Sequence, residues 1–262
     1  MAIPLGPIIS MASVFILILT RMSGMFVIAP IFSRMNIPVR IKVAFAFMVS
    51  LILLNVLGTQ NINEIDNIYN YAILVAKEFL VGLTIGYISY MFFAGIYIAG
   101  QAIDFKLGFA LINILDPATN IQIPITAGFY YTVCMLVFLL ADGHLFLISS
   151  LFESFDIVPL GTSAFNTLVM DDIIRTFGKT FILGIKIAAP IIATIFVVDV
   201  VIGIISKAVP QLNFFVIGMP LKIFVGLVIM MLSIRAFVYI VEKIITGMDE
   251  GILKLLENLG GA

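Results

Sequence analysis

Four apolar runs, Ile8–Thr20, Val43–Leu57, Leu80–Gly100 and Ile187–Ile205, carry one charge between them, Asp199. Each is near or within the length that crosses a hydrocarbon layer of about 30 Å. No soluble domain could bury that much apolar surface in one core, because 62% of the 262 residues are hydrophobic and only 11% are charged. The chain therefore reads as a polytopic integral membrane protein. Its net charge of −1 argues against nucleic acid as a target. Its one cysteine, Cys134, cannot close an internal disulfide and is expected as small apolar filling.

Hydropathy divides the chain into six spans, about 8–29, 41–57, 69–100, 125–141, 180–207 and 214–245. The start "MAIPLGPII" lacks a basic leader and a small-residue cleavage site, so the first span is expected to be retained. The piece "HLFLISSLFESF" is amphipathic, and the tail "DEGILKLLENLGGA" reads as a separate short amphipathic helix with a glycine stop. Arg34, Arg40 and Lys42 would hold the first link in the cytoplasm, leaving the acidic 58–70 link outside and Lys207 inside.

Charges and helix breakers at bilayer depth carry the functional signal. Arg21, Lys77, Glu78, Lys186, Asp199, Lys222 and Arg235 all fall in spans or at their edges. On translocon scales a charge at the centre of a span costs about 2.5–3.5 kcal/mol, so such residues face protein or water. Lys186 and Asp199 lie thirteen positions apart on one span. That is about 20 Å at ~1.5 Å per residue, too far for them to pair with each other. Asp199 then serves either an ion relay or a buried charge pair with a neighbouring helix or subunit, and Lys186 is expected to be paired in the same way. Gly82 and Gly86 form a GxxxG pair that admits another backbone. Pro190 and Pro220 each delete a helical hydrogen bond inside a span, which is tolerated only within protein or along a water-filled path.

Catalysis lacks its parts. The single histidine, His144, stands alone, and no HExxH, GxSxG, phosphate-binding loop or dinucleotide fingerprint is present. An enzyme is not expected, and neither a cofactor nor a metal is called for.

Three blocks carry a resemblance. "AGQAIDFKLGFALINILDP" (99–117), "LLADGHLFLISSLFESFDIVPLG" (139–161) and "GIISKAVPQLNFFVIGMPLKIFVGL" (203–227) resemble the FliR family of flagellar biosynthesis proteins. That family also includes the equivalent export-gate subunit of virulence type III secretion systems. Polar residues recur there in fixed order among apolar ones, which makes the match specific. Length and hydropathy agree along the rest of the chain.

The resemblance implies an all-α protein of about six long, kinked hydrophobic helices, arranged as hairpins in a helical multi-subunit gate. It implies a FliP-like part at about 1–180 and a FliQ-like hairpin at about 181–262 within one membrane-embedded domain. The implied role is structural and gating: passage of unfolded flagellar proteins across the bacterial inner membrane at the flagellar basal body. Partners would be FliP-like and FliQ-like gate subunits, an FlhB-like export protein, the unfolded substrates and membrane lipid, with no nucleic acid. The alternatives are the equivalent injectisome subunit or a secondary transporter using Asp199.

The resemblance also maps a channel plug onto about 104–120, with Phe105, Gly108, Phe109 and Leu111 as the stopper. The residues alone allow a second reading, an interfacial helix end with aromatic anchoring. "PQLNFFVIGMPLK" (210–222) becomes an assembly hairpin through Pro210, Gln211, Asn213, Gly218, Pro220 and Lys222. Gln211 and Asn213 would satisfy backbone groups freed by the prolines. Lys222 would meet an acid or carbonyls rather than lipid.

Overall fold

The computed structural model describes residues 5–33, 37–57, 68–109, 124–211 and 214–261. Among them the chain is all-α, with seven helices and no strand. They are α1 (Leu5–Ile28), α2 (Val39–Leu57), α3 (Ile68–Leu107), α4 (Ile125–Leu140), α5 (Gly143–Ile157), α6 (Thr167–Ala208) and α7 (Phe214–Gly260). Five of these, α1, α2, α3, α6 and α7, are long and apolar enough to cross a membrane.

Hydropathy places the helix cores well and the helix ends badly. Helix α3 continues to Leu107 rather than stopping near Gly100, and α6 begins at Thr167 rather than near Thr180. The tail expected as a separate helix is the last part of α7, which runs unbroken to Gly260 and ends at Gly261 with φ 81°. Hydropathy reports where lipid could be, whereas helicity continues wherever polar side chains find partners. Nothing between Ile245 and Asp249 stops a helix, since Thr246 and Gly247 each cost it only about 0.5–1 kcal/mol. At 40, 42 and 47 residues, α3, α6 and α7 run about 60, 63 and 70 Å. Each is about twice as long as a hydrocarbon core of ~30 Å is thick.

The chain forms two compact units. The first gathers residues 1–91, 142–176 and 246–262. Its centre is a backbone-to-backbone approach of α1 and α3, made at the glycines that the GxxxG spacing singles out. A Cβ at Gly82 would lie 1.9 Å from the Arg21 carbonyl oxygen, and one at Gly86 would lie 2.9 Å from that of Met25. From the other side, a Cβ at Gly24 would lie 2.4 Å from the Phe79 carbonyl oxygen. Helix α2 turns Ala46, Val49, Ser50 and Leu53 inward and leaves Val39, Val43, Met48 and Val56 exposed. The end of α7 buries Met248, Ile252, Leu255, Leu256 and Leu259, the stripe that helical periodicity predicts for an amphipathic tail. This tail is tied down by Ala164 donating its N–H to the Leu259 carbonyl and by Lys254 and Asn258 meeting Asp172.

The second unit gathers residues 92–141 and 177–245. Here α3 meets α6 at two facing glycines: a Cβ at Gly95 would lie 3.0 Å from the Thr180 carbonyl oxygen, and one at Gly184 the same distance from that of Gly95. Aromatic contacts fill the rest, with Tyr130 stacked on Phe237 and Phe93 edge-on to Phe138. Pro190 and Pro220 both lie inside continuous helices, and the Thr194 hydroxyl donates to the Pro190 carbonyl. Large apolar side chains on α6 and α7 remain exposed, among them Ile185, Phe196, Ile204, Phe224 and Met231.

Candidate functional site

Within the first unit, two of the charges at membrane depth find each other. Arg21 of α1 and Glu78 of α3 are both fully buried, and the arginine Nε donates to Glu78 Oε2 at 2.6 Å. The guanidinium also donates from Nη1 to the Ser154 carbonyl at 2.8 Å and from Nη2 to the Val158 carbonyl at 2.9 Å. Those carbonyls belong to the C-terminal turn of α5, where a cation offsets unsatisfied acceptors and the helix dipole. The second oxygen, Glu78 Oε1, accepts the N–H of Gly161, whose φ of 83° marks the turn after α5. Phe155 lies under the guanidinium at 4.2 Å. One ion pair thus fastens α1, α3, the end of α5 and the 158–161 turn. The sequence exposes both residues as misplaced charges, but 57 positions separate them and nothing local marks them as partners.

In the second unit, the segment with the expected stopper residues starts on the last turn of α3. Asp104, 6% exposed, accepts the backbone N–H of Thr126 at 2.9 Å and 3.1 Å and that of Ala127 at 3.3 Å. Phe105 is 75% exposed, whereas Leu107 is fully buried against Gly226 of α7. Gly108 takes φ 89°, a left-handed conformation that glycine adopts without strain, and donates its N–H to the Phe105 carbonyl. Phe109 lines a cavity of about 450 Å³ with Ile125, Phe129, Leu227 and Met230. Leu111 lies outside the described residues.

The expected hairpin residues separate into two groups. Asp199 of α6 forms an ion pair with Lys222 of α7, each side chain about one-third exposed. Lys222 therefore meets an acid of its own chain. Lys186 is exposed on α6 and has no ion-pair partner among the described residues. Gly218 packs against Ile202 with room for a methyl group, so no close approach requires glycine there. Pro210 and Gln211 are exposed in the turn between α6 and α7, and Asn213 lies outside the described residues.

The family described as bacterial export proteins, family 1, matches residues 12–248. The chain belongs to this family. It is 34% identical to the flagellar biosynthetic protein FliR of Bacillus subtilis over 98% of this chain and 99% of that one. It is 29% identical to the Escherichia coli protein of the same name, over 81% and 80% of the two chains. The Yop proteins translocation protein T of Yersinia pestis is 26% identical over 79% and 80%. Both residues of the Arg21–Glu78 pair and the Asp104 cap fall inside the span that matches this bacterial export family.

Proposed function

We propose that this chain is the structural and gating subunit of the flagellar type III protein export gate. It is a multi-pass protein of the bacterial inner membrane and works inside a multi-subunit assembly. Its membership of the bacterial export family carries this reading. Helices about twice as long as a bilayer is thick are compatible with it, since their surplus length lies outside one hydrocarbon layer. The exposed apolar faces of α2, α6 and α7 are the surfaces on which FliP-like, FliQ-like and FlhB-like partners and lipid would pack. A FliP-like part at about 1–180 and a FliQ-like part at about 181–262 belong to the same proposal. The role is one of assembly and gating, with no reaction catalysed by the subunit.

In this reading the stopper is the segment of about 104–120, with Phe105, Gly108, Phe109 and Leu111 closing the channel against water. An exposed Phe105 on the last turn of α3, just before the left-handed Gly108, supports it, because it offers an apolar side chain to a neighbour. Deleting residues 105–111 should raise the ionic conductance of the assembled gate in planar bilayers. A deletion gate that stays as tight as the parent, with its subunits complete, would remove the stopper assignment. The Asp199–Lys222 ion pair supports a positioning role for the 210–222 hairpin over an ion relay, since each charge already has its partner. The higher identity to the flagellar protein than to the Yop translocation protein favours the flagellar system over the injectisome.

A further inference from the structure

We propose that Asp104 is the positioning residue of the gate, clamping α3 to α4 at the base of the stopper; this rests on the stopper reading above. Asp104 sits three positions before the end of α3. There an acid opposes its own helix dipole, so α3 gains nothing from it locally. Its stabilisation comes instead from α4, whose first N–H groups have no intrahelical acceptors. Pro124, at the cap position of α4, supplies no side-chain acceptor. Asp104 fills that role from 22 residues away, with both carboxylate oxygens on Thr126 N–H and one on Ala127 N–H. A charged acceptor makes such bonds stronger than a neutral one would.

A second contact on the same face of α3 engages the same turn of α4. A Cβ at Gly100, one helical turn before Asp104, would lie 2.2 Å from Ala127 Cα and 2.6 Å from its nitrogen. Gly100 therefore brings the two backbones together, and Asp104 bonds the turn that results. The chain that leaves α3 through Phe105, Gly108 and Phe109 returns into α4 at Ile125, so one carboxylate holds both of its ends. Phe109 and Ile125 face the same cavity. No cation pairs with Asp104 among the described residues. Burying it without the N–H groups of α4 would strand a carboxylate, which is why the clamp resists opening.

The experiment compares Asp104→Ala, Asp104→Asn and Asp104→Glu with the 105–111 deletion, all in the full complex, reading subunit content and bilayer conductance. Losing a cap costs about 0.5–2 kcal/mol, so the leak conductance of Asp104→Ala should rise about tenfold, one decade per ~1.4 kcal/mol. Asp104→Asn should leak to a smaller degree, because it keeps one acceptor oxygen and loses the charge. Asp104→Glu, which keeps both acceptors, should restore most of the seal. If the deletion leaks while the Ala and Asn gates assemble and stay tight, the clamp is overturned and the stopper stands. If the deletion itself stays tight, the stopper reading falls, and the clamp falls with it. If neither Ala nor Asn enters the complex, Asp104 is a folding requirement and the positioning role is overturned.

Discussion

Replacing Glu78 with alanine should harm the protein more than replacing Glu78 and Arg21 together with apolar residues. Glu78→Ala leaves the Arg21 guanidinium fully buried with its Nε–H unpaired, and it orphans the Gly161 N–H that Glu78 Oε1 accepts. Breaking a buried ion pair from one side costs about 3–5 kcal/mol, because a charge stays in low dielectric without its counterion. The double change Arg21→Met with Glu78→Leu removes both charges. It leaves unpaired only the Val158 carbonyl and the Gly161 N–H, since the Ser154 carbonyl still accepts the Val158 N–H. The two unmet backbone groups cost about 1–3 kcal/mol each, partly offset by the absent charge-burial penalty. The order of melting temperatures for the purified complex should therefore be wild type, then the double variant, then either single variant. A double variant no better than Glu78→Ala would refute the reasoning, since it would mean that the uncompensated charge is not what destabilises.

Other substitutions follow from the same geometry. Gly82→Ala puts a methyl group into the Arg21 carbonyl and should cut the yield of assembled complex several-fold on co-purification, overpacking of this kind costing about 1–3 kcal/mol or more. Gly218→Ala meets only ordinary contact with Ile202 and should assemble at near wild-type yield in the same assay. Asp199→Asn and Lys222→Ala, which break a part-exposed pair worth about 1 kcal/mol or less, should leave protein secretion within a few-fold of wild type. A relay through Asp199 would instead lose it. Gly108→Val forces a branched side chain into φ 89° and should raise the leak conductance of the gate.

The all-α membrane character was legible because apolar runs and the bilayer obey the same length scale. Gly82 and Gly86 were legible as a candidate close approach through their GxxxG spacing, a weak signal taken alone because small residues are common in membrane helices. Arg21 and Glu78 stood out as charges in apolar runs, yet their pairing was hidden. Charge pairing leaves a local trace only at spacings of three or four residues, and theirs depends on how α1 crosses α3. Asp104 was visible only as a polar residue near the stopper, because a cap donated by a different helix leaves no trace near α4. The helix ends of α6 and α7 were missed where Asp172, Lys254 and Asn258 join, a polar cluster that hydropathy reads as the end of a span.

The central claim is that this chain acts inside a protein-export assembly, and the mass of the intact complex tests it most directly. Extracted gently from its membrane and weighed by native mass spectrometry, the tagged chain should appear as one copy among several copies of other small hydrophobic proteins. A chain that instead runs as a stable lone monomer, and moves a small solute into vesicles unaided, would contradict the account.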